Sequence, residues 1–278
     1  MSIHRLSRFA LYAALITLAI LWILPLVVTT MVALKDNVDY TSHPLFALPG
    51  RIALLENIQW AWTTGTLGVS FINTILYAVV GAGVAIVVAS LAAYAMVHLR
   101  VRGGFGWFLL IYSGTLFPFQ MYLLPLYYLY VNTNLYDTQL GLIVFYIAIC
   151  VPFCLFVLRN YFTTIPHELT EASRLDGLSD LGVYRYIYMP LSWSALAALF
   201  LFQFTWIWNE LLFGITLARS DTVRPVMAGL AGMRGIYSGS NIPGILAGAI
   251  IASAPTIIIF LILRKYLLKG LVLTTAGE

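Results

Sequence analysis

The chain has 278 residues, of which 61% are hydrophobic and 9% are charged, with a formal net charge of +4. Because soluble domains carry about 25% charged residues, this composition excludes a large soluble core and indicates a polytopic membrane protein. The modest positive charge is spread among the segments between apolar stretches, which favours a role in membrane orientation over nucleic-acid binding.

Six apolar stretches are long enough to cross a bilayer, which requires about 20 residues. We place them roughly at residues 9–34, 70–98, 107–131, 140–158, 193–217 and 245–263. The first stretch exceeds the ~7–15-residue apolar core of a secretory signal, so we expect it to remain as a membrane anchor. The predicted fold is all-α, with six transmembrane helices that form one domain over residues 1–278.

Lys and Arg residues predict which side of the membrane each segment faces, because the cytoplasmic side carries the excess. One side collects ten: Arg5, Arg8, Arg100, Arg102, Arg159, Arg174, Arg185, Arg264, Lys265 and Lys269. The other side collects five: Lys35, Arg51, Arg219, Arg224 and Arg234. This distribution predicts that both termini lie in the cytoplasm, together with the polar segment 163–191 that joins the fourth and fifth stretches.

Residues that could carry chemistry are scarce. Cys150 and Cys154 lie one helical turn apart in the fourth stretch, and we interpret both as small buried apolar residues. The histidines are too scattered for a metal site: His4, His43, His98 and His167. The sequence has no Gly-Lys pair of a Walker-type phosphate loop, no HExxH and no GxSxG. We therefore expect no catalytic residues, metal or cofactor in this chain, and no enzymatic activity of its own.

The polar segment between the fourth and fifth stretches has the pattern of a folded unit. Pro166 suits the first turn of a helix, and Leu169, Ala172 and Leu175 recur at helical spacing on one apolar face. Gly177 then suits the left-handed residue that ends a helix. The spacing predicts one short amphipathic helix that ends in a hinge.

A second short helix follows the hinge. Ser179 can cap its N-terminus, Leu181, Tyr184 and Ile187 form its apolar stripe, and Pro190 is predicted to end it. Two such helices are too small to bury a core of their own, so they need a surface to lie against. That surface could be the chain's own helix ends, lipid headgroups or a soluble partner.

One spacing pattern runs through this segment: Glu171-Ala172-Ser173, three residues, Gly177, nine residues, Ile187, one residue and Met189-Pro190. It resembles the EAA loop of the membrane subunits of ABC importers, with Ser173 in place of a second Ala and Met189 in place of Leu. The resemblance implies the type I ABC importer permease fold, in which this loop is a coupling helix seated in a cleft of a cytoplasmic ATPase. It implies ATPase-coupling roles for Glu171, Ala172, Ser173, Asp176 and Gly177.

Within the predicted spans, Glu210 is the one ionisable residue placed well inside, and Asn209 precedes it. A charge at the centre of a span costs about 2.5–3.5 kcal/mol, and less toward the end of a span, where Glu210 lies. Its side chain could clamp a neighbouring helix or line a water-filled substrate path. Gln120, close after Pro118, could line a pore or cap a helix break. We take Gln120, Asn209 and Glu210 as candidate path residues.

Three further stretches extend the resemblance, namely Leu124–Tyr127, Phe204–Glu210 and the tail Arg264–Leu271. In this order they are similar to carbohydrate importers of the maltose-permease type, second-subunit kind. That likeness implies a second permease subunit, two copies of a cytoplasmic ATPase that binds ATP and Mg, and an extracytoplasmic sugar-binding protein. It also implies the cytoplasmic (inner) membrane of a bacterium or archaeon.

The chain would then form half of a translocation path for a sugar or oligosaccharide and perform no chemistry. The Gly-rich segment 218–244 is similar in place to a loop that reaches into the binding protein. Two alternatives stay open. One is an ABC importer for another solute, such as an amino acid, a polyamine or phosphate; the other is a secondary carrier that acts alone.

Overall fold

The computed structural model describes residues 3–99, 101–236 and 241–275, and the side chains of Arg8 and of residues 10–99, 101–233 and 241–264. All regular structure in these ranges is helical. The helices are α1 Ile3–Leu34, α2 Asn37–Ser42, α3 Leu54–Thr63, α4 Leu67–Val97, α5 Gly104–Ser113, α6 Gln120–Asn132, α7 Gln139–Phe162, α8 His167–Leu175, α9 Asp180–Val183, α10 Met189–Leu191, α11 Trp193–Asn209, α12 Leu212–Leu217, α13 Val226–Ile236 and α14 Ile242–Thr275. A 3₁₀ turn, Gly114–Leu116, follows α5, and a π-helical turn, Tyr184–Tyr188, joins α9 to α10.

Four of the predicted spans are continuous helices. Among the described residues, the helical stretches long and apolar enough to cross a membrane are Ala10–Leu34, Leu67–Val97, Gln139–Phe162 and Ile242–Arg264. Two bent pairs bring the number to six if each pair counts as one span. They are Gly104–Leu116 with Gln120–Asn132, bent by 100°, and Asp180–Leu191 with Trp193–Asn209, bent by 74°.

The predicted third span, residues 107–131, is therefore two helices rather than one, with the break beside Pro118. Phe117 leaves the helical region with φ −88° and ψ 136°, because the ring of Pro118 disfavours a helical conformation in the residue before it. Pro118 also lacks the N–H that a continuous helix requires. The chain resumes a helix at Gln120, in a new direction.

The fifth span is also shorter than predicted. Its helix ends at Asn209, and Glu210 has an extended backbone with φ −70° and ψ 127°. The residues to 217 belong mostly to a separate helix, α12. In the segment 218–244, α13 fills the middle, and residues 237–240 lie outside the described part of the chain.

The chain divides into two compact units, the first formed by residues 1–68 and 229–254. In this unit the buried side chain of Lys35 donates to the carbonyls of Pro44 and Leu45 at 3.0 and 3.2 Å. Asn57 of α3 donates to the carbonyls of Ala33 and Lys35 at 2.9 and 2.7 Å. The carbonyls at the end of α1 have no partner within their own helix, so Asn57 acts as their cap.

The second unit comprises residues 69–228 and 255–278 and holds both candidate sites. Its core forms where α4, α7 and α11 meet. A Cβ at Gly81 would stand only 3.1 Å from the Cβ of Tyr146, so a small residue on α4 lets the helix backbones approach closely. Cys150 and Cys154 are free and buried in this core, which confirms their interpretation as apolar packing residues.

The loop between α6 and α7 is tied to the segment after α12. The carboxylate of Asp137 accepts hydrogen bonds from the backbone N–H groups of Arg219 and Ser220 at 2.8 and 2.9 Å, and from the Ser220 hydroxyl at 3.0 Å. Burial alone would raise the pKa of Asp137, but these hydrogen bonds outweigh it and the pKa lies below its ordinary value. The ionised carboxylate therefore stabilises this connection.

Candidate functional site

The two short helices predicted for segment 163–191 are present, hinged at Gly177. Gly177 has φ +87°, the left-handed conformation that follows a helix C-terminus. Ser179 caps the second helix as predicted, since its hydroxyl accepts a hydrogen bond from the N–H of Gly182 at 3.3 Å. Pro166 lies one residue before α8, as its N-cap, rather than in the first turn.

The apolar face of α8 is exposed. Leu169, Ala172 and Leu175 are all exposed, and Leu175 is 90% exposed. The buried residues of α8 are instead the small polar pair Thr170 and Ser173. The Ser173 hydroxyl donates to the carbonyl of Thr170 at 2.8 Å, which satisfies it inside the chain. Since water disfavours an apolar stripe, α8 carries a surface that the described residues of its own unit leave uncovered.

The predicted stripe of the second helix is wrong only at Leu181, since Tyr184 and Ile187 pack against the buried core of this unit. Leu181 is 67% exposed, and the buried residues are Val183 and Tyr188, five positions apart. The reason is the π-helical turn, whose hydrogen bonds run from residue i to i+5 and so bring residues five apart onto one face. Pro190 does not end this helix either; the chain stays helical to Leu191 and bends at Ser192.

The second helix is attached to the end of α4. The Tyr94 hydroxyl donates to the carbonyl of Asp180 at 2.8 Å, and the hydroxyls of Ser90 and Tyr184 lie 2.7 Å apart. The ring of Tyr94 meets the ring of Tyr188 edge-on, with centroids 4.9 Å apart. These contacts link the segment firmly to a membrane helix of the same unit.

The five predicted coupling residues lie on α8 and the hinge. Four of them, Glu171, Ala172, Asp176 and Gly177, are exposed, whereas Ser173 faces inward. An ion pair between Arg174 and Asp180 crosses the hinge, and this hydrogen-bonded contact raises the pKa of Arg174. Ala172 belongs to the apolar face of α8, and the exposed residues Glu171, Asp176 and Gly177 flank that face in the sequence.

The three predicted path residues line one open cavity. Gln120, Asn209 and Glu210 come together with Phe119 and Trp206 around a volume of about 590 Å³. The sequence alone did not bring Gln120 and Asn209 together; the bend at Phe117–Phe119 does so by turning the start of α6 toward the end of α11. The structure thus places all three candidates at one site.

Glu210 forms a polar clamp at this site. Its carboxylate accepts hydrogen bonds from the N–H groups of Phe213 and Gly214, at 2.8 and 3.0 Å, and from the Tyr146 hydroxyl at 3.1 Å. It is only 8% exposed. The side chain thereby caps α12 and ties the corner after α11 to α7. Asn209 is exposed, and its amide donates to the carbonyl of Thr205 at 2.8 Å.

Residues 6–272 match the family model described as the binding-protein-dependent transport system inner membrane component. The chain belongs to this family. Its members are transport permeases, and the bent and continuous spans agree with a multi-pass inner-membrane protein. Among the described residues, no group of three or more His, Cys, Asp or Glu side chains could hold a metal ion.

Named relatives cover nearly the whole chain. The melibiose/raffinose/stachyose import permease protein MelC of Bacillus subtilis is 30% identical over 249 residues, which cover 89% of this chain and 89% of the relative. The xylose/arabinose import permease protein XacI of Haloferax volcanii is 29% identical over 287 residues, covering 96% and 92%. The chain is thus similar in sequence to import permeases over almost its full length.

A solved structure confirms the fold. A chain in the crystal structure of a bacterial ABC transporter involved in the import of the acidic polysaccharide alginate matches with a TM-score of 0.82 at 24% identity, covering 96% of this chain and 98% of that one. The predictions of an all-α type I permease fold and of an ABC importer permease are confirmed. Such a permease works with an ATPase and a binding protein in general.

Proposed function

We propose that this chain is one of two permease subunits of an ATP-driven importer for a sugar or oligosaccharide. The relatives named as sugar import permeases support the substrate class. The exposed apolar face of α8 supports docking to a partner, because an apolar stripe in water is unfavourable until another surface covers it. Two ATPase copies, a second permease and an extracytoplasmic sugar-binding protein complete the proposed assembly.

In this proposal α8 lies in the cytoplasm and enters a cleft of the ATPase. Leu169 and Leu175 supply apolar contact area, Ala172 allows close packing, and Glu171 and Asp176 make polar contacts at the rim. ATP and Mg are held by the partner, not by this chain. Both termini lie on the same cytoplasmic side, as the Lys and Arg distribution predicts.

Motion of the ATPase reaches the membrane through the second helix. When ATP closes the ATPase pair, α8 moves with it, and the contacts of Tyr94 and Ser90 carry the movement into α4. The result is a switch of the two permeases between inward- and outward-open arrangements. The chain contributes half of the path and performs no chemistry.

The test begins with the complex that co-purifies with this chain in mild detergent. Leu175→Glu should reduce the amount of ATPase recovered, because it places a charge in an apolar contact. Leu48→Glu is the matched control, since Leu48 is 82% exposed in the unit that does not carry α8. Equal ATPase recovery with both variants would refute docking through α8.

Reconstitution then tests the transport activity. Vesicles that contain the whole complex and the binding protein should take up xylose or melibiose only when ATP is present. Uptake of amino acids, polyamines or phosphate in place of sugars would favour the alternative of an ABC importer for another solute. Uptake by this chain alone, driven by an ion gradient, would establish a secondary carrier.

A further inference from the structure

The cavity beside α11 has the size and lining of a small-molecule site. Its volume of about 590 Å³ lies within the ~300–1,000 Å³ range of such sites. One face of α11 supplies Phe202, Trp206 and Asn209, which follow one another at spacings of four and three residues and so lie on the same side of the helix. Phe119 adds a second aromatic ring, with its centroid 5.8 Å from that of Trp206.

Phe119 and Gln120, at the end of the break in the third span, line the same cavity. Leu116, Phe117, Phe119 and Gln120 are exposed where the helix is interrupted. At membrane depth, irregular backbone is stable only where protein covers it or where it lines a water-filled cavity. The exposed amide of Gln120 at this break therefore favours an aqueous path over a surface that faces lipid.

The lining suits an uncharged molecule. Of the residues around the described cavity, only Glu210 is ionisable, and its carboxylate already accepts hydrogen bonds from Phe213, Gly214 and Tyr146. Phosphate would meet no opposite charge here, and an amino acid or a polyamine would meet only the Glu210 carboxylate, which is buried and already hydrogen-bonded; leaving water without a free counter-charge is costly. A neutral polyol needs only hydrogen-bonding partners and an apolar surface.

We propose, resting on the function proposed above, that this subunit itself binds one ring of a neutral sugar in this cavity. The apolar C–H face of the ring lies on the indole of Trp206, with Phe119 at its edge. The amide side chains of Gln120 and Asn209 each have a hydrogen-bond donor and an acceptor. They can therefore bind sugar hydroxyl groups that act as acceptors or as donors. Glu210 does not touch the sugar; it holds the corner that presents Asn209.

The experiment measures sugar transported per ATP hydrolysed. The complete complex is reconstituted in vesicles with its binding protein, and radiolabelled xylose, melibiose and diacetylchitobiose are the probes. Trp206→Leu keeps apolar bulk but removes the flat ring, and should lower the ratio roughly tenfold while ATP hydrolysis continues. Trp206→Phe should restore most of it. Trp193→Leu is the matched control, because Trp193 is 60% exposed at the other end of the same helix.

The outcomes separate this inference from the proposed function. If wild-type vesicles import a probe sugar and Trp206→Leu leaves the ratio unchanged, the sugar site is refuted and the importer stands. If wild-type vesicles hydrolyse ATP but import none of the sugars, the proposed function fails. If Trp206→Leu does not assemble, Gln120→Ala carries the test, since its exposed side chain is outside the core. An equal fall in uptake and hydrolysis would show a structural role and refute the site.

Discussion

Replacing Gly177 with valine tests whether the hinge depends on its left-handed backbone. Gly177 has φ +87°, which costs L-residues about 1–2 kcal/mol and β-branched residues the most. Apart from its own chain neighbours, nothing lies within 4 Å of the place where a Cβ would stand. The penalty therefore comes from the backbone and not from a clash. Since 1.4 kcal/mol is a factor of ten, the docking geometry should become about 5–30-fold less populated.

Two further substitutions at Gly177 separate backbone strain from charge. Asn tolerates the left-handed region better than other side chains, so Gly177→Asn should retain most activity. Gly177→Asp has nearly the same shape but adds a negative charge at the proposed ATPase surface. We expect this variant to reach the membrane and to lose uptake.

The assay compares protein in the membrane, by immunoblot, with ATP-driven sugar uptake in reconstituted vesicles. Uptake should fall in the order wild type, Gly177→Asn, Gly177→Val, at equal protein levels. If Gly177→Val transports at the wild-type rate, the hinge does not need its φ angle and the assigned role is wrong. If a Gly177 variant is instead missing from the membrane, its loss of uptake results from a folding defect.

Three further predictions concern polar contacts of the same unit. Tyr94→Phe removes the hydrogen bond to Asp180, worth about 1 kcal/mol, and should lower sugar transported per ATP, whereas Tyr186→Phe, at an exposed site, should not. Asp137→Asn should lower the thermal unfolding midpoint at pH 7. Because the folded pKa of Asp137 lies below the unfolded one, this difference is present above about pH 4 and should disappear as the pH falls through the folded pKa. Glu210→Ala leaves buried N–H donors unpaired at about 1–3 kcal/mol each and should reduce the yield of folded protein, whereas Glu210→Gln should reduce it less; neither should change which sugar is transported.

The sequence predicted the parts of the fold that depend on composition and on local turn chemistry. Four continuous spans follow from apolar length alone, and the hinge follows from Gly177 with the cap at Ser179. The sequence offered a helix break after Pro118 as one reading of Gln120 but gave no angle for it, because hydropathy averages over a window and does not register one lost helical turn. Leu181 was assigned to the wrong face because a π-helical turn changes the period of the helix, and hydrophobic spacing assumes 3.6 residues per turn.

The candidate sites show a different limit. Periodicity found the apolar face of α8 correctly, but a pattern cannot tell whether the chain itself or a partner covers that face. Only the structure shows Leu175 exposed with Ser173 buried. In the same way, the sequence grouped Gln120 and Asn209 as candidate path residues but did not show that they line one cavity, because that depends on a bend of 100° in the third span.

The two halves of the segment 163–191 differ in how firmly they are held, and that difference decides how force can pass through it. The second helix is joined to α4 by buried hydroxyl contacts and packed rings, which resist separation. Across the hinge, the described contacts are fewer: the N–H of Leu178 donates to the carbonyl of Ser173 at 3.1 Å, and the ion pair of Arg174 lies in solvent, where such pairs stabilise little. A pull on α8 would therefore turn the hinge before it moved α4, unless the partner also holds the hinge. Asp176 and Gly177 are exposed next to the apolar face of α8. An ATPase that contacts both α8 and the hinge would therefore transmit its motion to α4. We therefore propose that efficient coupling needs contact with the hinge itself, not with α8 alone.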